Sequence, residues 1–239
     1  MLSERFRYTF AVAVFCLIHG NWHDGSCWDL MTPRLRERSH DVIAPHLPFD
    51  QPGLSHDQRA RPALEALEGA RGEIVVVGHS AGSAEAGLVA AACRATLLVY
   101  LCPRLGELPA PPGGPTVFRD GFPFPARRAD GSNAWEPAAA IAAMYPRLDP
   151  RTARDMAARL HPGAPAAGSY PLTAPPDVPL ALIYTTEDEF FNPDWERFIA
   201  RELLHVQPVE LPGGHFPMIE RPDELAGLLD RLTSALTTR

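Results

Sequence analysis

The chain contains no lysine, and all 22 basic residues among its 239 are arginine. This absence excludes Schiff-base catalysis, a Walker-type phosphate loop and any step that uses a lysine as acid or base. Positive charge is also the minority sign, because 29 acidic residues leave a net charge of −7. Without a basic surface the chain is not expected to bind a nucleic acid.

Cysteine is scarce, and its spacing matches no metal or redox motif. The four residues are Cys16, Cys27, Cys93 and Cys102, and no two of them form a C-x-x-C pair. We therefore expect free thiols. No metal site and no organic cofactor is implied by the sequence.

Long apolar runs are absent, since none reaches the ~20 residues of a membrane-spanning helix. Residues 10–18 follow Arg5 and Arg7 and resemble the start of a signal peptide. However, the run is short, Glu4 lies in the charged region, and no small-x-small cleavage site follows. We interpret it as a buried strand and expect a soluble, cytoplasmic protein without a membrane partner.

Short apolar segments recur along the chain and predict the strands of a sheet. They are rich in Val, Ile, Leu and Ala without polar alternation, which favours parallel strands covered on both faces. The predicted strands are residues 8–18, 41–44, 73–77, 95–101, 179–185 and 206–211. Helical patterns occupy residues 26–38, 57–68, 82–93, 193–204 and 222–236. This alternation predicts an α/β fold with a mostly parallel, six-stranded sheet and helices on both faces.

Proline is concentrated between residues 103 and 177, which hold 15 of the 26 prolines. Such a segment is expected to run largely extended, with short helices at 137–145 and 151–160. It separates the fourth predicted strand from the fifth. We therefore predict a core of residues 1–103 and 178–239 and a cap insertion of residues 104–177 over the carboxyl ends of the strands.

The strand at 73–77 runs directly into Gly78-His79-Ser80-Ala81-Gly82 and then into a helix of small residues. This is a G-x-S-x-G pattern in the strand–turn–helix context of a nucleophile elbow. In such an elbow the serine oxygen is exposed at the N-terminus of the helix. Ser80 is the predicted nucleophile.

A serine nucleophile needs a base, and His215 is the one histidine of nine that follows the last predicted strand. It lies in a Gly-Gly-His turn that can bring an imidazole over the elbow. The competing histidines are placed less well: His79 lies within the elbow, His161 in the cap and His205 at the end of a helix. His215 is therefore the predicted base.

Three acids, Glu187, Asp188 and Glu189, follow the strand at 179–185, where the order Ser…acid…His requires a carboxylate. A short side chain at the turn apex is easier to hold against the histidine, which favours Asp188 and leaves Glu187 as the alternative. The oxyanion donors are predicted to be the backbone N–H groups of Ala81, which follows the nucleophile, and Asn21, in the loop after the first strand.

Several apolar side chains are predicted to line a substrate pocket beneath the cap, with ordinary core packing as the alternative for each. They are Trp28, Phe122, Phe124, Trp135, Tyr145, Phe216 and Met218.

Taken together, these motifs resemble those of the α/β-hydrolase superfamily. Residues 19–28 are similar to the H-G-x-x-H-x-x-x-x-W opening of its compact branch, which contains plant methylesterases, hydroxynitrile lyases and small bacterial relatives. The resemblance covers residues 8–103 and 178–236 and is loose in the cap. It also implies Asp188 as the acid, because in that branch the acid precedes an E-x-F-like turn. Hydroxynitrile lyases of the branch carry a lysine after the catalytic histidine, where this chain has Phe216, so the resemblance implies ester hydrolysis.

The sequence therefore predicts a serine hydrolase that cleaves a small-molecule carboxylic ester through an acyl-enzyme. Two alternatives remain open. One is a natural-product tailoring enzyme that uses the same residues as a thioesterase, cyclase or isomerase. The other is a hydrolase-fold ligand-binding protein with a vestigial triad. The sequence also leaves the oligomeric state open, including a homodimer.

Overall fold

A computed structural model of the chain describes residues 13–109 and 111–237. Its six strands form one sheet: Ala13–Ile18 (β1), Asp41–Ile43 (β2), Glu73–His79 (β3), Leu97–Leu101 (β4), Leu180–Thr185 (β5) and Val209–Leu211 (β6). The spatial order is β2-β1-β3-β4-β5-β6, and every neighbouring pair is parallel. The predicted six-stranded sheet is confirmed, whereas residues 8–12 of the first predicted strand lie outside the described residues.

Eight α-helices occur in the described part of the chain. They are Thr32–Arg36 (α1), His56–Ala66 (α2), Ser83–Cys93 (α3), Pro137–Met144 (α4), Pro150–Ala158 (α5), Pro193–Glu202 (α6), Pro217–Glu220 (α7) and Pro222–Thr237 (α8). Local sequence explains several starts. Proline occupies the first turn of α4, α5, α6 and α7, where its missing N–H costs nothing. Helix α7 was not predicted, because four residues are too few to show a helical period.

Apolar layers cover both faces of the sheet. Alternate residues of β1 point to opposite faces, so that Phe15 and Leu17 join one layer while Cys16 and Ile18 join the other. Helices α1, α4, α5 and α8 contribute to the first layer, and α2, α3 and α6 to the second. None of the helices in the described residues combines the length and the hydropathy of a membrane-spanning segment.

The parallel arrangement brings four functional loops to one edge of the sheet. The carboxyl ends of β1, β3, β5 and β6 all face this edge, since parallel strands share their direction. The loops that leave them carry Asn21, Ser80, Asp188 and His215. The cap segment 104–177 joins β4 to β5 and contains α4 and α5. Its division from the core as a separate domain stays a prediction.

Candidate active site

Ser80 has the backbone geometry of a strained turn between β3 and α3. Its φ is +53°, a left-handed conformation that costs a non-glycine residue about 1–3 kcal/mol. The surrounding packing holds it there. A Cβ on Gly78 would lie 2.4 Å from the Cβ of Ala86, and one on Gly82 would lie 2.1 Å from the carbonyl oxygen of His19. The two glycines therefore serve close approach, while the serine itself carries the positive φ.

His215 and Asp188 form a buried hydrogen-bonded pair. The Nδ1 atom of His215 lies 2.7 Å from Oδ2 of Asp188, and both residues are almost fully buried. The other carboxylate oxygen, Oδ1, accepts the N–H groups of Phe190 at 2.7 Å and Phe191 at 2.8 Å. Because Asp188 accepts the Nδ1–H, the opposite ring atom, Nε2, is the one that can receive a proton.

Glu187, the alternative acid, occupies a different environment. Its side chain is 57% exposed and forms an ion pair with Arg147 at 3.1 Å. The structure thus places Asp188, and not Glu187, beside the imidazole.

Two residues that the sequence analysis did not select hold the backbone of His215. The Nε2–H of His79 donates to the carbonyl oxygen of His215 at 2.8 Å. The N–H of His215 donates to Oε2 of Glu189 at 3.0 Å. Their positions in the sequence could have indicated this role, because His79 ends β3 beside the nucleophile and Glu189 directly follows the acid.

Ser80 and His215 lie in loops at the same edge of the sheet, but no hydrogen bond joins their side chains in the described structure. The ring of His79, next to Ser80 in the chain, lies 4.8 Å from the ring of His215. The ring centroids of Phe190 and Phe191 lie 4.3 and 5.1 Å from that of His215. Both phenylalanines line the same cavity as Ser80. In enzymes without substrate, catalytic hydrogen bonds are often long and tighten when substrate binds.

The residues of the two predicted oxyanion donors lie at the same cavity as the nucleophile. Asn21 and Ala81 line the cavity together with Ser80. The loop after β1 approaches the elbow so closely that a Cβ on Gly20 would lie 2.9 Å from the Cβ of Ser80. His19 braces this loop: its Nδ1–H donates to the carbonyl of Gly20 at 2.9 Å, and its Nε2 accepts the N–H of Leu47 at 2.9 Å.

A cavity of about 640 Å³ opens beside Ser80. Its aromatic wall is formed by Trp22, Phe49, Phe118, Phe124, Phe190 and Phe191. Its polar lining includes His56, Arg59, Glu85, Arg104 and Glu107, which we call the polar wall, and also Arg127 and Asn133. The cavity therefore has room for a small molecule and offers it two chemically different surfaces.

The pocket residues expected from sequence are mostly placed elsewhere. Phe124 lines the cavity, but the other six do not. Trp28, Tyr145, Phe216 and Met218 are buried in the core, and Phe122 and Trp135 are partly buried against it. For Phe122, Trp135 and Tyr145, the reason is the course of the cap segment. Helix α4 packs on one face of the sheet, so Tyr145 at its end is buried and hydrogen-bonded to His23 at 2.6 Å.

Three histidines around the site stay neutral because they are buried. Burial lowers the pKa of His19 to about 3 and that of His23 to about 4, and it holds the pKa of His79 well below its ordinary value of 6.5. Neutral rings make directed hydrogen bonds without adding positive charge beside His215. They are suited to positioning the loops.

One cluster of potential metal ligands occurs among the described residues. Side-chain ligand atoms of Cys102, Asp188 and His215 lie within 4.8 Å of one another. Both oxygens of Asp188 already accept N–H groups. Burial, and then the charges of Glu196 and Asp188, raise the pKa of the Cys102 thiol. A protonated thiol and an engaged carboxylate fit a hydrogen-bonded acid–base pair better than a metal centre.

Comparison with known sequences finds a family and one partial relative. The sequence model of the Alpha/beta hydrolase family matches residues 14–228. A stretch of 75 residues is 35% identical to the pyrethroid hydrolase of Sphingobium wenxiniae. This match covers 28% of the chain and 27% of the relative, so it spans about a quarter of that protein's length.

Solved structures share the fold over nearly the whole chain. A pyrethroid hydrolase from Sphingobium faniae JZ-2 superposes with a TM-score of 0.72 at 21% identity, over 95% of this chain and 100% of its own. The methylesterase MES16 from Arabidopsis gives a TM-score of 0.74 at 19% identity, over 93% of this chain and 99% of its own. Polyneuridine aldehyde esterase superposes with a TM-score of 0.69 at 15% identity, over 93% of this chain and 99% of its own.

Proposed function

Because the chain belongs to the alpha/beta hydrolase family, we propose that it hydrolyses small-molecule carboxylic esters with Ser80, His215 and Asp188 as its catalytic triad. The observation that carries the proposal is the buried hydrogen bond of 2.7 Å between His215 and Asp188. It lies at the sheet edge where the strained elbow of Ser80 meets a cavity of about 640 Å³.

In this mechanism the Ser80 hydroxyl oxygen attacks the acyl carbon while Nε2 of His215 takes its proton. Asp188 keeps Nδ1–H directed toward itself and stabilises the imidazolium. The N–H groups of Ala81 and Asn21 stabilise the oxyanion, each worth about 3 kcal/mol of transition-state stabilisation. His215 then protonates the leaving alcohol and afterwards activates a water molecule that releases the acid from Ser80.

The named relatives support an ester as the substrate class. The methylesterase MES16 and polyneuridine aldehyde esterase are among the proteins with this fold. Moreover, Phe216 follows His215 and there is no lysine in the chain, so no ammonium group is available there to stabilise a developing anion such as cyanide.

A fluorophosphonate probe followed by intact-mass measurement tests whether Ser80 is activated. We expect one probe adduct on the wild-type chain and none on Ser80→Ala. Ser169→Ala, which removes an exposed serine of the cap segment, is the matched control and should label normally. Absence of any adduct on the wild type would contradict the proposal and favour a ligand-binding protein.

Short para-nitrophenyl esters then test the reaction itself. Turnover that depends on Ser80 is the expected result. An enzyme that labels but does not turn these esters over would instead support the tailoring alternative, a thioesterase, cyclase or isomerase with its own substrate.

A further inference from the structure

The polar wall of the cavity contains more charge than a purely apolar substrate would need. Nδ1 of His56 lies 2.8 Å from Oε1 of Glu85, and Nη1 of Arg104 donates to Oε1 of Glu107 at 2.6 Å. The side chains of Glu85 and Glu107 line the same cavity.

Three polar atoms of this wall are buried without a hydrogen-bond partner among the described residues. They are Oε2 of Glu85, Oε2 of Glu107 and Nε of Arg59. Other atoms of the same side chains are engaged: Nη2 of Arg59, for example, donates to the carbonyl oxygens of Ala164 and Pro165 at 3.0 and 2.8 Å. Buried polar atoms in native proteins are normally paired. The three side chains also line the cavity, so a group that enters it meets them, and a change of side-chain rotamer would give the unpaired atoms a partner.

We propose that the polar wall binds a hydrogen-bond donor of the substrate, a hydroxyl or an ammonium group carried away from the reacting carbonyl. Two of the three unpaired atoms are carboxylate oxygens, which only accept hydrogen bonds. A hydroxyl can donate to a carboxylate and accept from Arg59, while an ammonium can only donate. This inference rests on the proposed esterase function and narrows its substrate class to amphipathic esters.

The wall is held in a fixed relation to the nucleophile. Glu85 lies in the first turn of α3, the helix that begins directly after the elbow. The backbone N–H of Arg104 donates to the carbonyl oxygen of Ser80 at 3.0 Å, and Arg104 in turn binds Glu107. A donor bound here therefore helps to place the ester carbonyl at Ser80, with the apolar part of the substrate against the aromatic wall.

Matched esters test the proposal. We compare para-nitrophenyl benzoates that carry a para-hydroxymethyl, para-aminomethyl or para-ethyl group, and phenyl acetates with the same three groups on the alcohol side. We expect the wild type to prefer a donor over ethyl by about tenfold in kcat/KM in one of the two series. The hydroxymethyl and aminomethyl members distinguish a neutral donor from a cation.

Two variants and a control assign the preference to the wall. Glu85→Gln and Glu107→Gln should each reduce the preference for the donor, because an amide presents only one acceptor oxygen. Two variants are used because the Glu85 carboxylate is buried against His56 and its replacement can impair folding. Glu65→Gln makes the same charge change at an exposed position of α2 and should keep the wild-type preference.

A binding measurement separates this inference from the proposed function. Calorimetry on Ser80→Ala compares para-hydroxymethylbenzamide with para-ethylbenzamide, so it requires no catalysis. Equal kcat/KM for donor and ethyl esters in a chain that still labels at Ser80 overturns the donor site and leaves the esterase standing. If the wild type does not label, the esterase proposal fails, and equal binding of the two amides overturns the donor site as well.

Discussion

Adjacent acidic residues can have opposite roles, as Asp188 and Glu187 show. Asp188 is buried against His215, while Glu187 faces solvent with its side chain 57% exposed. We expect Asp188→Asn to lower kcat by roughly 10⁴-fold, since the ring loses the partner that fixes its tautomer. Glu187→Gln should change kcat little. The measurement is turnover of para-nitrophenyl acetate, and comparable losses in the two variants would count against Asp188.

The glycines of the elbow allow a second prediction at the residue scale. A Cβ at Gly82 would lie 2.1 Å from the backbone oxygen of His19, which cannot move like a side-chain end. Gly82→Ala should therefore destabilise the fold by about 1–3 kcal/mol and weaken probe labelling at Ser80. Thermal unfolding measures the first effect.

Gly227, in α8, is the matched control for this substitution. Its Cβ would meet only the ends of two flexible side chains, Arg231 at 3.4 Å and Arg38 at 3.7 Å, and alanine is the better helix former. Gly227→Ala should stabilise the chain by about 0.5–1 kcal/mol. Equal destabilisation by both substitutions would show that the elbow has no special packing.

Among the elements, the loop between α4 and α5 links the cap segment to the catalytic loops. Arg147 in this loop donates to the side chain of Glu187 at 3.1 Å and to its carbonyl oxygen at 2.7 Å. It also forms an ion pair with Glu189, which accepts the N–H of His215. A cap residue thus orders the loop that carries the acid and, through Glu189, the histidine turn.

Removing this link should lower activity without abolishing it. We expect Arg147→Ala to reduce kcat/KM about threefold to tenfold, because the pair is partly exposed and contributes modestly. High salt should reduce the difference in kcat/KM between Arg147→Ala and the wild type, since exposed charges are screened. Arg151→Ala, at the exposed start of α5, is the control. A loss of kcat/KM in Arg147→Ala that is equal at low and high salt would argue against an electrostatic link.

The predicted elements agree with the structure where local pattern decides them. The apolar runs that became β3, β4 and β5 end within about two residues of the expected positions. Helices α6 and α8 begin at the prolines that mark their first turns. The short helix α7 was missed for the opposite reason, since its four residues show no period of their own.

For the molecule as a whole, buried histidines should make stability depend on pH. Burial lowers the pKa of His23 to about 4, against 6.5 in the unfolded chain, and the pKa values of His19 and His79 are lowered as well. Below pH 6.5 the unfolded chain therefore binds protons that the folded chain does not. Stability should be full above pH 6.5 and decrease on acidification, by up to about 1.4 kcal/mol per pH unit for each ring.

Urea unfolding at several pH values from about 7 to about 5 measures the slope of the unfolding free energy against pH. His23→Asn should flatten it, while His205→Gln, an exposed position, should leave it unchanged. Unfolding free energies that stay constant over this range would contradict the picture of neutral buried rings.

At the scale of the whole fold, the predicted membership of the α/β-hydrolase superfamily is confirmed by the family match over residues 14–228. The resemblance to the methylesterase-like branch is confirmed at the level of the fold, since MES16 superposes over 93% of the chain. The triad, the oxyanion donors, the division into core and cap and the cytoplasmic location stay predictions, and the oligomeric state stays open.

The sequence by itself determined the order of strands and helices, the elbow at Ser80 and the loops on which an acid and a histidine would lie. These features follow from local periodicity, from turn glycines and from the rule that parallel strands end at one edge. Only the tertiary structure decided which side chains surround the cavity. Trp28 and Tyr145 became core, while Phe190, Phe191 and the polar wall came to line the same cavity as the nucleophile. The physical reason is that these side chains come from distant parts of the chain: the loops after β1 and β5, helices α2 and α3, and the cap segment. Their placement depends on how those parts pack against one another.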